Sequence, residues 1–550
     1  MKTDYDNKND NNISERYHEN IHQQNRKEQL EKRLKNGKYD FEKMTVKEMN
    51  DQIYKAYLEY AKVPQEYWNI LRQFKECFAQ QLSEIGLVDR KLLEFEIHLK
   101  KEYNMETRKF EEARPYFATP YKKQDRDQQE HILKGTIDEV KNGISTEIFK
   151  PTMWNTVCLA VPKKVDKITG KITWRTVKDY TPLNAKTMRV NFPIPNIQKI
   201  IRQISTFKYF IALDIMSAYW HIAVKKEHRH YTVFSVGDRQ FWSERMPFGT
   251  VNAPAYFAAM MKMVFKSILG EGWLFTYFDD ITIGGNTSQE LMGRLKRTLE
   301  CCKEFNIKIK ITKCEWEKEE INLLGWTISK GIVTIQKEKI KAITEWKWPT
   351  DKDLLWKKSL ESFLGKINYL REFIPNISEK CKEIREVIRK KRPLKDQTAQ
   401  KMFEEIKKQI IKEPHLHIIE FDKQMIIRTD ASQHTIGGVL LQENDQSQLI
   451  PRMYYSKVLN DQEKRWSINK KEAYAIRKTL ENFIDVLKIY QKHQVIVQTD
   501  NNDIYHTILR PEQPIDIEIA NTLGWVKDTC AKIEFIEGRK NILADSLSRK

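Results

Sequence analysis

The sequence is organised around residues 273–283, which read WLFTYFDDITI. Runs of aromatic and β-branched residues flank Asp279 and Asp280, and this pattern predicts a tight β-hairpin with both carboxylates at its exposed tip. Two adjacent carboxylates repel each other unless a cation lies between them. Taken alone, the stretch fits a cation site, and it also fits a solvated turn.

A further aspartate follows a predicted strand earlier in the chain. Residues 210–213 are apolar and predict a buried strand, and Asp214 comes directly after them. By itself, Asp214 fits a turn residue as well as a site residue. Three more motifs follow in order, at residues 246–249 (MPFG), 313–314 (KC) and 324–325 (LG).

This ordered set resembles the palm of a reverse transcriptase from the gypsy class of long-terminal-repeat retrotransposons, with plant pararetrovirus polymerases as near relatives. The resemblance extends from about residue 74 to the last residue. It implies an α/β (α+β multidomain) fold. The parts are a right-hand polymerase, with fingers, a palm carrying a ferredoxin-like or RRM-like sheet and a helical thumb, and then a ribonuclease H-like mixed-sheet domain.

Composition agrees with a chain that binds a polyanion. The 550 residues carry a net charge of +19, and 11% of them are aromatic, which suits a nucleic-acid partner. Seven cysteines without a Cys-x-x-Cys motif indicate a reduced compartment without a zinc knuckle or a disulfide framework. No apolar run reaches the roughly 18 residues of a membrane span, and no secretory signal is expected at the N-terminus.

The resemblance also implies where the domains begin and end. The first segment is a polar N-terminal arm, which is expected to be disordered or loosely helical. The bounds are the arm at 1–50, fingers and palm at 51–335 (fingers about 70–190 and 222–250, palm about 191–221 and 251–335), thumb or connection at 336–418, and ribonuclease H at 419–550. The thumb is basic and also fits a solvated helical face, but a duplex-binding polymerase upstream favours contacts with phosphates.

The resemblance assigns roles in the polymerase. Asp214, Asp279 and Asp280 would be the catalytic, metal-holding residues. Arg175, on a predicted fingertip hairpin, would bind the triphosphate, because a guanidinium group matches phosphate through two hydrogen bonds. Either Lys163 or Lys164 would supply a second charge, and Lys163 is favoured. The remaining nucleotide-binding residues would be Ser217, Ala218, Tyr219, Phe248 and Phe278, and the primer- and template-binding residues would be Tyr277, Lys313, Leu324, Gly325 and Trp326.

Tyr219 is the candidate for distinguishing deoxyribose from ribose, because its ring would clash with a 2′-hydroxyl group. Gly325 would let the DNA backbone approach closely. Structural alternatives stay open: a basic hairpin that faces solvent, a core aromatic at Tyr219, and an exposed turn aromatic at Phe248. Two departures from the family are Thr181, where an arginine is usual, and Ala218, where glycine is preferred.

A second acidic set lies in the last ~130 residues. Its order and spacing resemble those of a ribonuclease H domain, whose catalytic and metal-holding residues would be Asp430, Glu472, Asp500 and Asp545. Glu472 also fits the N3 position of a helix capped by Asn469. No histidine lies between Gly538 and the end, where some relatives have one.

These assignments imply an RNA- and DNA-templated DNA polymerase with ribonuclease H activity that copies a retroelement genome. Each site would hold two Mg²⁺ ions, for which Mn²⁺ substitutes. The partners would be an RNA template, a DNA primer, an RNA–DNA hybrid and dNTPs, with no membrane. A monomer or a substrate-induced homodimer in the cytoplasm, within virus-like particles, is expected.

Two rival functions remain at this point. One is a retroelement-derived nucleic-acid-binding protein that has lost its chemistry. The other is a scaffold whose basic helices coat RNA. The presence of seven expected carboxylates in two separate sets argues against both.

Overall fold

The computed structural model describes residues 40–548 except for short gaps. The gaps are 106–107, 119–123, 166–171, 194–196, 330–331, 351–352, 371–373, 375–376, 390–391, 413–414, 418, 421–422, 488–493 and 511–515. Most of the predicted arm at 1–50 therefore lies outside the described residues. Within these ranges, no helix has the length and apolar character needed to cross a membrane. The seven cysteines all fall inside these ranges, and none of them forms a disulfide bond there.

The helices have the following bounds: α1 Asp51–Tyr60, α2 Trp68–Gln73, α3 Arg126–Lys141, α4 Thr181–Lys186, α5 Ile197–Ile204, α6 Ala253–Val264, α7 Ser288–Glu304, α8 Lys337–Thr344, α9 Trp356–Tyr369, α10 Ile377–Ile388, α11 Gln397–Lys412, α12 Ile468–Leu487, α13 Asn502–Leu509, α14 Ile517–Asp528 and α15 Ile542–Ser548.

The strands have the following bounds: β1 Glu94–Phe95, β2 Lys101–Asn104, β3 Lys109–Glu112, β4 Ser145–Ile148, β5 Thr156–Val165, β6 Ile172–Lys178, β7 Tyr209–Asp214, β8 Ala223–Val224, β9 Phe234–Val236, β10 Arg239–Ser243, β11 Leu274–Tyr277, β12 Asp280–Gly285, β13 Glu315–Lys318, β14 Glu320–Leu323, β15 Trp326–Ser329, β16 Ile332–Ile335, β17 His415–His417, β18 Ile426–Ala431, β19 Thr435–Glu443, β20 Leu449–Val458, β21 Ile496–Thr499 and β22 Lys532–Phe535.

The described residues divide into two compact units. The first takes those up to 194, with 211–283 and 289–316, and the second takes 195–210, 284–288 and the residues from 317 onward. The division falls inside the predicted palm, and the segments predicted as thumb and ribonuclease H both lie in the second unit. The predicted bounds at 335 and 418 stay predictions.

Two sheets that carry predicted site residues lie wholly or mainly in the first unit. One has the strand order β4-β10-β9-β5-β6, and the other has the order β11-β12-β7-β13. Helix α3 begins at an Asp125 cap, whose side chain accepts a hydrogen bond from the Gln128 amide at 2.8 Å. Its buried Ile132 packs with Cys158, Phe234 and Phe241. This apolar cluster holds the base of the β5–β6 hairpin, so the predicted fingertip hairpin is confirmed as a structural element.

The second unit also contains two sheets. The strand order of the first is β14-β15-β16-β17, and that of the second is β20-β19-β18-β21-β22. Strands β18 to β20 are antiparallel, whereas β21 and β22 run parallel to β18. Buried residues of α12, such as Ile476, Leu480 and Phe483, belong to the same apolar core as Ile427 and Leu440 of this sheet. The sheet and helix together fix the positions of the C-terminal acidic residues.

Gly437 of β19 permits a close approach by the last helix. A Cβ atom at this position would lie 2.6 Å from the Leu547 Cβ atom, which is far inside van der Waals contact. Helix α15 therefore lies directly on the backbone of β19, with Ala544 and Leu547 buried against Val439 and Leu441. This contact brings the last predicted aspartate, Asp545, onto the same sheet as Asp430.

Candidate active sites

The tip of the central hairpin is a two-residue turn. Tyr277 of β11 pairs with Asp280 of β12, so the turn consists of Phe278 and Asp279. Phe278 has φ of +50°, a left-handed conformation that non-glycine residues adopt rarely and that clusters at functional sites. The predicted hairpin is confirmed, but only Asp279 lies in its turn. Asp280 pairs with Tyr277 across the hairpin, so it is the first residue of β12 instead of a turn residue.

Asp214 lies beside this tip. Strand β7, which ends at Asp214, is the neighbour of β12 in the sheet, and the Ile215 amide donates to the Asp279 carbonyl oxygen at 3.4 Å. Partial burial, together with the negative charges of Asp279 and Asp214, raises the pKa of Asp280 to about 6. The structure thus brings the three predicted aspartates into one electrostatic group.

Lys313 is the counter-ion of this group. Its ammonium nitrogen lies 3.1 and 3.2 Å from the two carboxylate oxygens of Asp214. Burial raises the pKa of Asp214, whereas the Lys313 hydrogen bond and charge lower it. Lys313 was predicted to bind primer or template, and here it forms an ion pair with Asp214, a predicted catalytic residue. The prediction missed this contact because the two residues are 99 positions apart.

The two predicted triphosphate-binding residues are exposed on the β5–β6 hairpin. Arg175 is paired with Val161, and Lys163 lies at an irregularity between Pro162 and Lys164. The Lys163 charge contributes to the lowered pKa of Lys310, for which burial is the main cause. The Lys310 amide in turn donates to the Asp214 carbonyl oxygen at 2.9 Å. The Lys163 charge therefore influences Lys310, whose backbone is hydrogen-bonded to Asp214.

Aromatic side chains lie next to the three aspartates. The rings of Tyr219 and Phe248 are stacked, with centroids 4.9 Å apart and planes inclined by 24°. Phe248 is 39% exposed, and Tyr219 is half-buried. Burial raises the pKa of Tyr219, and the Asp279 charge contributes to the same shift. Tyr219 is therefore not a wholly buried core residue, and Phe248 is packed against it rather than isolated in a turn.

The turn that carries Tyr219 is fixed by a residue that the sequence did not reveal. Ser217 has φ of +49°, and Ala218 is buried. The ring of His221, which is fully buried, lies with Nδ1 3.2 Å from the Ala218 carbonyl oxygen and accepts a hydrogen bond at Nε2 from the Lys308 amide at 3.0 Å. Burial lowers the pKa of His221 to about 3. The neutral ring therefore donates from Nδ1 to Ala218 and stabilises this turn.

The hairpin predicted to contact the primer lies in the second unit. Leu324 and Gly325 form its turn, with φ of +53° and +87°. The Lys339 ammonium group donates to the Leu324 carbonyl oxygen at 3.0 Å and fills the space where a Gly325 side chain would lie. The Lys339 side chain thus lies on this face of Gly325, and the predicted approach of DNA to Gly325 stays a prediction.

Two further residues that were predicted to contact the primer differ in exposure. Trp326 is only 1% exposed, so its side chain offers little surface to a primer, and its predicted contact stays a prediction. Its indole is part of the hydrophobic core under the β14–β15 hairpin. Tyr277 is half-buried and packs edge-on against Phe278, with ring centroids 4.7 Å apart. The predicted primer contact of Tyr277 stays a prediction.

The second acidic set forms a tighter cluster. Asp430 lies near the end of β18, Glu472 on α12, and Asp500 directly after β21. Each offers a carboxylate oxygen, and these oxygens lie within 4.8 Å of one another. Asp430 and Glu472 are buried. Three carboxylates at this spacing repel strongly in a poorly solvated site, and oxygen-only donors are those that Mg²⁺ prefers. The cluster therefore fits a divalent cation.

The capping alternative for Glu472 is wrong. Helix α12 begins at Ile468, and the Ser467 hydroxyl, rather than Asn469, accepts a hydrogen bond from the Lys470 amide at 3.3 Å. Glu472 therefore lies beyond the N3 position. Its carboxylate instead accepts a hydrogen bond from the Ala431 amide at 3.3 Å, which directs it toward the end of β18.

Asp545 lies on α15 and is not one of the three residues in the close cluster. The same helix reaches Asp430 through Ser548, whose hydroxyl donates to the Asp430 carboxylate. At its other end, the Asn541 side chain donates to the Thr429 carbonyl oxygen at 3.0 Å. The sequence motif identified Asp545 but gave no indication of the Ser548 contact.

Comparison with known families agrees with this arrangement. Residues 161–328 match the family described as "Reverse transcriptase (RNA-dependent DNA polymerase)", and residues 396–497 match "RNase H-like domain found in reverse transcriptase". The chain carries a reverse transcriptase domain followed by a ribonuclease H-like domain. The first match includes Asp214, Asp279 and Asp280. The second includes Asp430 and Glu472 and ends before Asp500.

Similar full-length relatives are transposon proteins. The Tf2-3 and Tf2-7 transposon polyproteins of Schizosaccharomyces pombe are 30% and 29% identical to the chain over 488 and 485 residues. These alignments cover 88% of the chain and 34% of each polyprotein, so the chain spans about a third of the length of these relatives. The resemblance of the two domains to a gypsy-class reverse transcriptase and ribonuclease H is confirmed.

Solved structures with the same fold are viral reverse transcriptases. The foamy viral protease-reverse transcriptase in complex with dsDNA has a TM-score of 0.66 and 20% identity, with 90% of this chain and 97% of that chain covered. The same viral protein in complex with RNA/DNA hybrid has a TM-score of 0.61 and 20% identity, with coverage of 90% and 62%. The multidomain fold predicted from the sequence is therefore confirmed.

Proposed function

We propose that the chain is an RNA- and DNA-templated DNA polymerase that also cuts the RNA strand of RNA–DNA hybrids. The observation that carries the proposal is the presence of two separate clusters of carboxylate side chains, each beside its own sheet. The complexes of the foamy viral enzyme with RNA/DNA hybrid and dsDNA support the same classes of nucleic acid as partners. Copying of a retroelement genome fits the transposon relatives.

In the polymerase site, the 3′-hydroxyl group of the primer attacks the α-phosphate of a dNTP, and pyrophosphate leaves. Asp214, Asp279 and Asp280 would hold two Mg²⁺ ions, which supply positive charge to the reacting hydroxyl and phosphate oxygens. Exposed Lys163 and Arg175 bind the triphosphate by charge-assisted hydrogen bonds. The stacked rings of Tyr219 and Phe248 form the wall for the sugar, which orients the α-phosphate.

In the ribonuclease site, water attacks a phosphodiester bond of the RNA strand. Asp430, Glu472 and Asp500 would hold the divalent cations, and Asp545 would complete the set from α15. Burial of Asp430 and Glu472 limits access of bulk water, which strengthens the electrostatic contribution of the site. Residues 539–550 contain no histidine, so these residues supply no imidazole for proton transfer.

Extension of a labelled DNA primer on an RNA template tests the proposal. With Mg²⁺ and dNTPs the primer is expected to reach full length, the copied RNA is expected to be cut, and EDTA should stop both reactions. The rival function, a nucleic-acid-binding protein without chemistry, predicts a bound primer–template that is neither extended nor cut under the same conditions. The oligomeric state, a monomer or a substrate-induced homodimer, and the location within cytoplasmic virus-like particles stay predictions.

Tyr219→Ala is expected to increase the use of ribonucleotides relative to deoxyribonucleotides about tenfold or more, because the ring no longer meets the 2′-hydroxyl group. The measurement is the ratio of kcat/KM for dNTP and rNTP in single-nucleotide extension. Tyr219→Phe keeps the ring and should retain the parent ratio. An unchanged ratio in Tyr219→Ala would remove Tyr219 from this role.

The raised pKa of Asp280 predicts a pH effect on metal binding. Because a proton competes with a cation for the carboxylate, the Mg²⁺ concentration that half-saturates primer extension should rise as the pH falls below about 6. In the metal-free chain, the same raised pKa means that Asp280 adds stability at low pH and loses this contribution as the pH rises through 6. Metal titrations at pH 5.5 and pH 8 measure the first effect, and equal half-saturation values would contradict it.

A further inference from the structure

We propose that Ser548 is a positioning residue of the ribonuclease H site, where its hydroxyl group fixes the orientation of the Asp430 carboxylate. The role rests on the proposed function of that site. Ser548 lies outside both family matches, and it does not belong to the acidic set that the motif identifies.

The contact is buried on both sides. Ser548 is 2% exposed and Asp430 is 3% exposed, and the Ser548 hydroxyl donates to an oxygen of the Asp430 carboxylate. The Asp545 carbonyl oxygen lies 3.1 Å from the same hydroxyl. Because a hydroxyl group has one proton and a carboxylate is the stronger acceptor, the bond to Asp430 is favoured. Because both groups are buried, solvent has little access to replace this bond when it is lost.

The other end of α15 contacts Thr429, the residue that precedes Asp430 in β18. Asn541, which is fully buried, donates to the Thr429 carbonyl oxygen at 3.0 Å. Gly437 lets α15 lie against the sheet between these two ends. The helix is therefore bound to adjacent residues of β18 at both ends, once through the backbone of Thr429 and once through the side chain of Asp430.

The two bonds have different consequences. The Asn541 bond sets the backbone position of the strand, whereas the Ser548 bond sets the rotation of the carboxylate that faces Glu472 and Asp500. Residues that orient metal-holding side chains typically contribute about 10- to 100-fold to metal affinity or activity. Ser548 thus links the helix that carries Asp545 to the geometry of the three-carboxylate cluster.

Ser546 offers a matched control on the same helix. Its side chain is exposed and donates to the Leu543 carbonyl oxygen at 2.7 Å rather than to a carboxylate. Ser548→Ala, Ser548→Thr and Ser546→Ala are compared in full-length chains that also carry Asp279→Asn, which weakens cation binding at the polymerase site. The measurements are Mn²⁺ binding without nucleic acid, from the electron paramagnetic resonance signal of free Mn²⁺, and kcat and KM for cleavage of a hybrid.

Ser548→Ala is expected to weaken Mn²⁺ binding about tenfold or more and to lower kcat with an unchanged KM for the hybrid. Ser546→Ala should match the Asp279→Asn parent, and Ser548→Thr, which keeps the hydroxyl group, should recover most of the loss. Parent-like Mn²⁺ binding in Ser548→Ala would overturn the proposal. So would equal losses in Ser548→Ala and Ser546→Ala, or in Ser548→Ala and Ser548→Thr, because either result would indicate packing alone. A parent without hybrid cleavage would refute the ribonuclease function, and the Mn²⁺ comparison would still decide the role of Ser548.

Discussion

Asp279→Asn is expected to lower primer extension by about a thousand-fold or more while hybrid cleavage continues at the parent rate. Asp279 is the residue in the turn of the central hairpin, and its charge acts on both Asp214 and Asp280. An amide removes one negative charge from the cation site, and loss of several kcal/mol of transition-state stabilisation corresponds to a factor of this size. The residue is exposed at the tip, so the fold should not depend on its charge.

The control for this variant is Asp238→Asn. Asp238 is an exposed residue between β9 and β10 in the same unit, and its replacement should leave both activities at parent levels. Steady-state extension on a primed RNA template and cleavage of a preformed hybrid are measured on the same preparations. Loss of both activities in Asp279→Asn, with an unchanged thermal unfolding temperature, would contradict two independent sites.

Asp430→Asn is expected to have the reverse effect, with hybrid cleavage lowered by about a thousand-fold or more and primer extension retained. Asp430 is buried in the three-carboxylate cluster. Asparagine preserves the shape of the side chain and an acceptor for Ser548, so the change is mainly the lost charge. The repulsion with Glu472 and Asp500 falls at the same time, and the metal-free variant should therefore be at least as stable as the parent.

Asp445→Asn is the matched control for Asp430→Asn. The Asp445 side chain is 98% exposed in the same unit and pairs with Lys423 at 3.1 Å, and exposed pairs of this kind contribute little to stability. Hybrid cleavage should be unchanged in this variant. Retained cleavage in Asp430→Asn, or loss of extension together with cleavage, would refute the assignment of Asp430.

The sequence was sufficient to bring together Asp214, Asp279 and Asp280 and three of the four C-terminal acidic residues, whereas Asp545 lies outside the close cluster. Asp214 and Asp430 each come at the end of an apolar strand, and strand ends that share a sheet edge meet in space. The strand–hairpin order around Asp279 therefore predicted that these carboxylates lie close together, which agrees with the pairing of Tyr277 with Asp280. The matched reverse transcriptase family covers the same residues. Local pattern and chain order carried this information.

Side-chain contacts between distant segments could not be predicted in the same way. The Lys313 contact with Asp214, the Lys339 side chain beside Gly325 and the Ser548 bond to Asp430 each depend on how separate elements pack. Neither hydrophobic periodicity nor a local motif shows which residue, distant in the sequence, a lysine or serine side chain will contact. Burial of Trp326 has the same origin, because a tryptophan in a strand fits a core position as well as a binding surface.

The central claim is that the chain holds divalent cations at two separate clusters of carboxylate side chains. Counting the Mn²⁺ ions bound by the parent, Asp279→Asn and Asp430→Asn in the absence of nucleic acid tests it most directly. Each variant should lose one set of bound ions and keep the other, and the double variant should lose both. Equal binding in all four proteins, or loss of all bound Mn²⁺ in either single variant, would contradict the claim.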